Sequence, residues 1–142
     1  MEKDIILSLK NLNINIFKFI SKKNNDLGLD ITPVQSRVII SLYENEDLLC
    51  QKDLEQLICR NKSTLSSILD TLEKKGYIIR GENKNDSRKK TISLTDKAYY
   101  VIDVLHNNMK SIGENIIEGI SLEEYKIFCN VIEKINQNIE RI

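Results

Sequence analysis

No run of apolar residues in this sequence is long enough to span a bilayer, and the residues that build metal sites and disulfide frameworks are scarce. The chain has a single histidine, His106, and three irregularly spaced cysteines, Cys50, Cys59 and Cys129. An odd number of irregularly spaced cysteines predicts reduced thiols, and one histidine without obvious neighbouring ligands does not predict a zinc site. We therefore expect no metal and no cofactor.

Patterns typical of enzymes are missing as well. The sequence has no nucleophile beside a general base, no glycine-rich phosphate loop, and no carboxylate or histidine cluster at catalytic spacing. Residues 1–4 are too acidic, and too briefly followed by apolar residues, to form a secretion signal. These absences predict a cytoplasmic protein that is not an enzyme and does not contact a membrane.

The charge that is present is unevenly distributed. The chain is 41% apolar and 30% charged, which is typical of a globular protein, and its formal net charge is zero. Residues 60–97, however, hold ten Lys or Arg against five Asp or Glu, while the remainder holds eleven against sixteen. A basic segment within an acidic body suits a nucleic-acid-facing module, although a solvated charged surface gives the same count.

Apolar residues recur at steps of three and four through most of the chain, which predicts a mainly helical protein. Residues 24–28, rich in Asn and ending in Gly28, are expected to end the first helix. Thr32 is expected to cap the second helix, with Pro33 as its first residue, and Asn61 to cap the fourth. The predicted helices span residues 4–23, 33 to between 43 and 46, 51–59, 62–75, 96–118, and 122 onward.

The third and fourth helices each have a predicted core face. In the third helix this face is formed by Leu54, Leu57 and Ile58. The core face of the fourth helix contains Leu65, Ile68, Leu69 and Leu72. The opposite face of the fourth helix is mostly short and hydroxylated, which would let its backbone lie deep in a major groove, but an ordinary solvent-exposed face looks the same. Its residues are Ser63, Ser66, Ser67, Asp70, Thr71 and Lys74.

A β-hairpin is predicted directly after the fourth helix. Gly76 can adopt the left-handed conformation that closes a helix, and the residues after it alternate with the two-residue period of a strand. A polar loop, residues 82–87, is expected to join the two strands. Basic residues lie at or near the tip of this hairpin, which makes it a candidate wing of a winged helix that binds duplex DNA. They are Lys84, Arg88, Lys89 and Lys90.

Residues 31–98 resemble the DNA-binding domain of the MarR family of bacterial transcription regulators. The resemblance rests on several short motifs in the family's order and spacing. They are Ile31-Thr32-Pro33-Val34-Gln35, Gln51-Lys52-Asp53-Leu54, Lys62-Ser63-Thr64-Leu65, Leu72-Glu73-Lys74-Lys75-Gly76-Tyr77-Ile78, the Asp86-Ser87-Arg88 match to the family's Asp-x-Arg, and Ser93-Leu94-Thr95.

The resemblance implies roles for individual residues. Arg88 would reach from the wing into a minor groove, whose negative potential attracts arginine, and Asp86 would hold that arginine or the loop in place. A plain surface ion pair between these two residues is the alternative. Lys84, Lys89 and Lys90 would bind phosphates. The recognition helix would contribute Asn61, Lys62, Ser63, Thr64, Ser66, Ser67 and Thr71.

The family also implies a three-part organisation. Residues 1–29 would form an N-terminal dimerisation helix, 30–97 the winged-helix DNA-binding domain, and 98–142 the C-terminal dimerisation helices. A homodimer would present two recognition helices to successive major grooves of a pseudo-palindromic operator. By resemblance we expect a repressor released by a small-molecule effector, whose binding residues the sequence does not identify.

Three positions depart from the family pattern. Ser67 stands where many members carry a longer polar or basic side chain, so direct base readout is expected to be sparse. Cys50 replaces the usual Thr or Ser cap of the third helix, and Ala98 replaces a common glycine. Two alternative functions stay open: a winged-helix module that binds protein and not DNA, and a regulator that senses oxidation through a cysteine.

Overall fold

The computed structural model describes residues 4–45, 49–58, 61–83 and 86–142, with side chains described throughout except at 49, 82, 83 and 86–90. Within these ranges the protein is mainly α-helical, with a small antiparallel sheet that contains the wing, as predicted. The elements in chain order are α1 (Ile5–Asp26), α2 (Pro33–Glu44), β1 (Leu49–Cys50), α3 (Gln51–Ile58), α4 (Lys62–Lys74), β2 (Ile78–Asn83), β3 (Asp86–Leu94), α5 (Asp96–Ile116) and α6 (Leu122–Arg141).

The predicted start of α2 is confirmed in detail. The side chain of Thr32 accepts a hydrogen bond from the amide of Gln35 at 3.3 Å, and the Gln35 side chain accepts one from the amide of Thr32 at 3.1 Å. Pro33 follows as the first helical residue, where its missing N–H has no partner to lose. This reciprocal capping box fixes the entry of the chain into α2.

The predicted end of α1 was too early by one turn. The helix continues through Asn24 to Asp26, and Gly28 then adopts a left-handed conformation with φ 70°. Asn24 is 1% exposed, and its amide nitrogen donates to the carbonyl of Ile31 at 2.9 Å and to the hydroxyl of Ser36 at 3.2 Å. Its side-chain oxygen accepts from the amide of Asn108 at 2.8 Å. Asn24 therefore joins α1, α2 and α5 as a buried, hydrogen-bonded residue and does not end α1.

The sheet has three strands in the order β1-β3-β2, all antiparallel. The two strands of the wing pair from Ile78 opposite Leu94 out to Asn83 opposite Asp86. The predicted six-residue loop is therefore too long, because both strands extend into it. The sequence did not predict β1, whose two residues pair with Ile92 and Thr91 of β3.

One hydrophobic core lies beneath α2, α3, α4, the sheet and the first half of α5. Leu65, Leu69 and Leu72 are fully buried in it and Ile68 packs against it, which confirms the predicted core face of α4. In α3 the prediction was wrong at Leu57, which is 44% exposed, because an eight-residue helix presents only a narrow face to its neighbours. The largest fully buried side chains of the core include Ile39, Leu54, Leu65, Leu69, Leu72, Ile78, Ile92 and Leu105.

The chain divides into two compact units, one that ends at Met109 and one that spans Lys110–Ile142. The second unit contains α6, which begins with a capping box between Ser121 and Glu124. None of the α6 residues is buried, although many are large and apolar. The functional division at 29/30 and 97/98 stays a prediction. No described helix is both long and apolar enough to cross a membrane.

Candidate nucleic-acid interface

The N-terminal half of α4 is capped, and it makes no ion pair with any residue whose side chain the structure describes. The side-chain oxygen of Asn61 accepts from the amide of Thr64 at 2.8 Å, as predicted for an N-cap. The side chain of Gln51 donates to the carbonyl of Lys62 at 3.3 Å and so ties the start of α4 to α3. Lys62 is exposed in the first helical turn, where a cation opposes the helix dipole. Its charge is better suited to an external anion than to stabilising the helix.

The outward face of α4 carries hydroxyl groups, most of which have no partner among the described residues. Ser63 and Ser67 are exposed and Ser66 is half-buried, and within the described residues their hydroxyls make no hydrogen bond. Thr71 differs, because its hydroxyl donates to the carbonyl of Ser67 at 3.1 Å. Thr71 therefore retains only acceptor capacity, while the three serines can both donate and accept.

The C-terminal end of α4 is closed by backbone geometry. Gly76 has φ 81°, and the amide of Tyr77 donates to the carbonyl of Leu72 at 3.0 Å while the amide of Gly76 donates to that of Glu73 at 3.0 Å. These two bonds form a Schellman motif, which needs a left-handed residue at the position of Gly76. The predicted glycine stop is confirmed, and it directs the chain into β2.

Lys75 anchors this end of α4 to the segment before α2. Its ammonium group donates to the carbonyl of Asp30 at 2.8 Å and to the side chain of Gln35 at 3.2 Å, and lies 3.1 Å from the Asp30 carboxylate. The ammonium group of Lys97 in turn donates to the carbonyl of Lys75 and lies 4.4 Å from the ring centroid of Tyr77. The ammonium groups of Lys75 and Lys97 thus bind partners within the protein, whereas the Lys74 side chain is exposed.

Arg80 on β2 connects the wing to α4. Its guanidinium group donates to the carboxylates of Asp70 and Glu73, and its backbone amide also donates to Glu73, at 3.2 Å. These hydrogen bonds stabilise the charged forms: they lower the pKa of Glu73 and raise the pKa of Arg80, with Asp70 contributing less to the latter. The wing strand and the recognition helix therefore share one ion-pair cluster.

The predicted wing residues fall mostly outside what the structure describes. Lys84 lies outside the described residues, as do the side chains of Asp86, Arg88, Lys89 and Lys90. The backbone of these last four residues forms the first part of β3, opposite the end of β2. Their placement on the hairpin agrees with the sequence prediction, and their contacts to DNA stay a prediction. The structure brings the recognition-helix set, Asn61, Lys62, Ser63, Thr64, Ser66, Ser67 and Thr71, together at one helix.

The sequence alone did not predict Arg80 as part of this site, nor its ion pairs with Asp70 and Glu73. The two acids lie three residues apart, so they occupy the same side of α4 near its end. An arginine in the strand that immediately follows the helix stop was the available signal. Because a helix–strand contact depends on how the chain turns at Gly76, the pairing could not be read from spacing alone.

Aromatic side chains of α2 and α5 lie close together. The rings of Tyr43 and Tyr99 lie 6.2 Å apart, and Tyr43 and His106 lie 5.4 Å apart, both edge to face. Tyr100 is 85% exposed. The imidazole Nε2 of His106 lies 3.8 Å from the Glu44 carboxylate. The contacts define an aromatic cluster but do not identify a ligand.

The described cysteines and histidine do not assemble a metal site. Cys50 is half-buried, and both its thiol and its backbone amide donate to the Asp53 carboxylate at 3.0 Å, while Cys129 is exposed. Cys59 lies outside the described residues. Among the residues that are described, no three His, Cys, Asp or Glu are grouped closely enough to hold a metal ion.

Comparison with known proteins places this geometry in context. Residues 31–90 match the model of the MarR family. The structure resembles an S. aureus MepR–DNA complex with a TM-score of 0.90 and 22% identity, over 96% of this chain and 99% of that one. It also resembles a putative MarR family transcriptional regulator from Listeria monocytogenes in complex with 26mer DNA, with a TM-score of 0.83 and 20% identity, over 97% and 90%. A third is the transcription regulator MarR from Oenococcus oeni, with a TM-score of 0.77 and 24% identity, over 94% and 99%. These likenesses extend the shared fold over nearly the whole chain.

Proposed function

Because residues 31–90 belong to the MarR family, we propose that this protein is a transcription regulator that binds double-stranded DNA. The solved structures that it resembles include transcription regulators, which are not enzymes, and two of them are complexes with DNA. We assign DNA contacts to the outward face of α4 and to the hairpin formed by β2 and β3.

The observation that carries this proposal is the unused hydroxyl face of α4, next to the wing. Ser63 and Ser67 project into solvent, their hydroxyls make no hydrogen bond within the described residues, and both lie on the same helix as the exposed Lys62. Short polar side chains permit close approach to a groove and can bond to phosphates or base edges. Serine lacks the bidentate geometry of arginine, so sequence preference is expected to depend in part on DNA shape.

We also propose that the protein acts as a homodimer through its terminal helices. The large apolar side chains of α6 stay exposed in the single chain, and a patch of this kind is a common feature of interfaces. A two-fold dimer would place two copies of α4 on one side of the duplex, which suits a pseudo-palindromic operator. The exposed set on α6 is Leu122, Tyr125, Ile127, Phe128, Val131 and Ile139.

The family resemblance supports two finer proposals. Repression is the proposed outcome of operator binding, and a small-molecule effector is the proposed signal for release. The aromatic cluster of Tyr43, Tyr99 and His106 is the place where an aromatic ligand would find complementary surfaces, but these contacts equally serve packing.

Fluorescence anisotropy of the purified protein with duplex from upstream of its own gene tests DNA binding. A scrambled duplex of equal length is the control, and both are titrated over a series of salt concentrations. We expect affinity to fall steeply with salt because phosphate contacts release counterions, and the genomic duplex to bind more tightly than the scrambled one. Failure to bind either duplex at low salt would favour the alternative, a winged-helix module for protein partners.

Arg88→Ala tests the proposed wing contact in the same assay. Loss of an arginine that reads a groove should weaken binding to the genomic duplex by about 1–3 kcal/mol, or roughly 5-fold to 150-fold, and reduce sequence preference. Lys89→Ala is the matched control, because loss of a phosphate contact should weaken binding to both duplexes alike and reduce the salt slope by about one. Equal effects of the two substitutions would contradict the special role of Arg88.

Phe128→Asp tests the proposed dimer. Each copy would place a carboxylate in the apolar interface, and two losses of about 2 kcal/mol each would weaken dimerisation roughly a thousandfold. Sedimentation velocity measures the change, and Asn130→Asp, about 200° away from Phe128 on α6, is the control that should leave the dimer intact. A wild-type chain that sediments as a monomer at micromolar concentration would contradict the proposal.

A further inference from the structure

The recognition helix carries two acids on a surface that we assign to DNA. Asp70 and Glu73 lie in the C-terminal half of α4, and their side chains are 53% and 42% exposed. Carboxylates near phosphates oppose DNA binding, because the duplex backbone is densely negative. Their presence at this place therefore requires an explanation other than direct contact with DNA.

Arg80 supplies the explanation through its geometry. Its Nη2 donates to Asp70 and, at 3.1 Å, to Glu73, while its Nε lies 3.4 Å from the second Glu73 oxygen. Its side chain is 20% exposed, so the guanidinium group is directed at the helix and mostly shielded from solvent. Two anions thus share one cation, and the cluster formed by these three residues carries a net charge of only −1.

The cluster also fixes a position. Arg80 lies in β2 opposite Ile92 of β3, whose side chain is buried in the core. Its backbone amide donates to the same Glu73 carboxylate that its side chain holds. Glu73 therefore binds both the backbone and the side chain of one wing residue, and this restrains the first strand of the wing relative to α4.

We propose that Arg80 is a positioning residue for DNA binding. It holds the wing strand at a fixed place on the recognition helix and keeps Asp70 and Glu73 from facing phosphates. This inference rests on the proposed function, since it concerns how α4 and the wing meet one duplex together. Lysine cannot replace arginine here, because an ammonium group lacks the planar fork that bridges two carboxylates.

One double substitution distinguishes a positioning role of the cluster from a simple effect of its charge, because the two explanations predict opposite changes in DNA affinity. Asp70→Ala combined with Glu73→Ala removes two negative charges from a DNA-facing helix and frees Arg80. By charge alone this variant should bind DNA more tightly than wild type. If the cluster positions the wing, it should bind more weakly, by about 2-fold to 30-fold, the range for residues that tune a site without touching its ligand.

The experiment compares wild type, that double variant, Arg80→Ala, Arg80→Lys and the control Lys74→Ala. Anisotropy over a salt series gives affinity and salt slope, and hydrogen–deuterium exchange of the free protein reports on the peptide covering residues 76–83. We expect both Arg80 variants and the double variant to exchange faster in this peptide and to bind more weakly, with the salt slope unchanged. Lys74→Ala should leave exchange unchanged.

Several results would overturn the positioning role of Arg80 and leave the proposed function standing. They include tighter DNA binding by the double variant, unchanged affinity of Arg80→Ala, or a salt slope lowered by about 0.9 in Arg80→Ala, which would mark a direct phosphate contact. Full rescue by Arg80→Lys would also overturn it, because charge would then suffice. A wild-type chain that binds no duplex would instead overturn the proposed function. The exchange data would still report whether Arg80 restrains the strand, because they are read without DNA.

Discussion

The two halves of α4 have opposite relations to the rest of the protein. In the first half, from Asn61 to Ser67, Asn61 is the only residue whose side chain makes a hydrogen bond among the described residues, and that bond caps the helix. In the second half, Asp70 and Glu73 are bound by Arg80, and Lys75 is bound at the segment before α2. The first half presents polar groups to solvent, whereas the acidic groups of the second half form ion pairs within the protein.

This contrast teaches how a short helix can be both exposed and held in place. The hydroxyl groups of the first half have no hydrogen-bond partner among the described residues, so contact with a ligand would break none of the bonds described. At the other end, Asp70 and Glu73 bind the wing, and Lys75, directly after α4, binds the segment before α2, so these ion pairs hold α4 from two sides. Substitutions of the exposed serines in the first half should therefore change DNA affinity, whereas substitutions of the bound acids in the second half should change both DNA affinity and stability.

The largest effect is expected on stability, from a substitution of Leu69 on the buried face of α4. This residue is fully buried, and Leu69→Ala should lower the free energy of unfolding by about 2–5 kcal/mol, because it removes buried methyl groups and leaves a cavity. Chemical denaturation gives the value, with the exposed Leu57→Ala as a matched control that should cost far less. Equal losses at the two leucines would mean that the core does not lie where the structure places it.

A smaller effect is expected from the cap. Asn61→Ala should cost about 1 kcal/mol of stability, because the amide of Thr64 loses its acceptor. Asn61→Asp keeps an acceptor and should retain stability, but it adds a negative charge beside the duplex and should weaken DNA binding. Denaturation and anisotropy on the same samples separate the two effects, and a loss of stability in Asn61→Asp would contradict the capping role.

Ser67→Ala sharpens the comparison between the halves. Its hydroxyl makes no hydrogen bond within the described residues, so stability should change by less than about 0.5 kcal/mol while DNA affinity falls. Glu73→Ala, in the other half, should change both quantities, because Glu73 binds the wing. A Ser67→Ala variant with wild-type affinity would remove this residue from the proposed interface.

The smallest effect is a dependence of stability on pH at Glu73. Arg80 lowers the pKa of Glu73 from its ordinary value of 4.5. A lowered pKa in the folded state means that the stabilisation is fully present above pH 4.5 and is lost as the pH falls through the lower folded value. Denaturation between pH 7 and pH 3 should therefore show wild type losing more stability than Glu73→Gln. Parallel curves for the two proteins would contradict the ion pair.

Local signals in the sequence predicted much of this arrangement. The cap at Asn61, the cap at Thr32 and the stop at Gly76 each depend on residues within a few positions of one another, and all three are confirmed. The hydroxylated outward face of α4 followed from helical periodicity together with residue type.

Contacts between distant segments were not predictable in the same way. The strand β1 has only two residues and exists through pairing with Ile92 and Thr91, about forty positions away, so no periodicity marks it. Arg80 reaches Asp70 and Glu73 only because the chain turns back on α4. In the sequence these residues are ordinary charges on a helix and a strand.

The buried amide of Asn24 has a consequence for how α1 can rotate. Its two donors and one acceptor meet Ile31, Ser36 and Asn108 in fixed directions. A turn of α1 about its own axis by a single residue would replace this amide with a lysine or with a differently aimed asparagine, and would leave the Ile31 carbonyl without its donor. Apolar packing alone tolerates small rotations of a helix, but these three hydrogen bonds do not. Asn24 therefore fixes the rotation of α1 about its own axis.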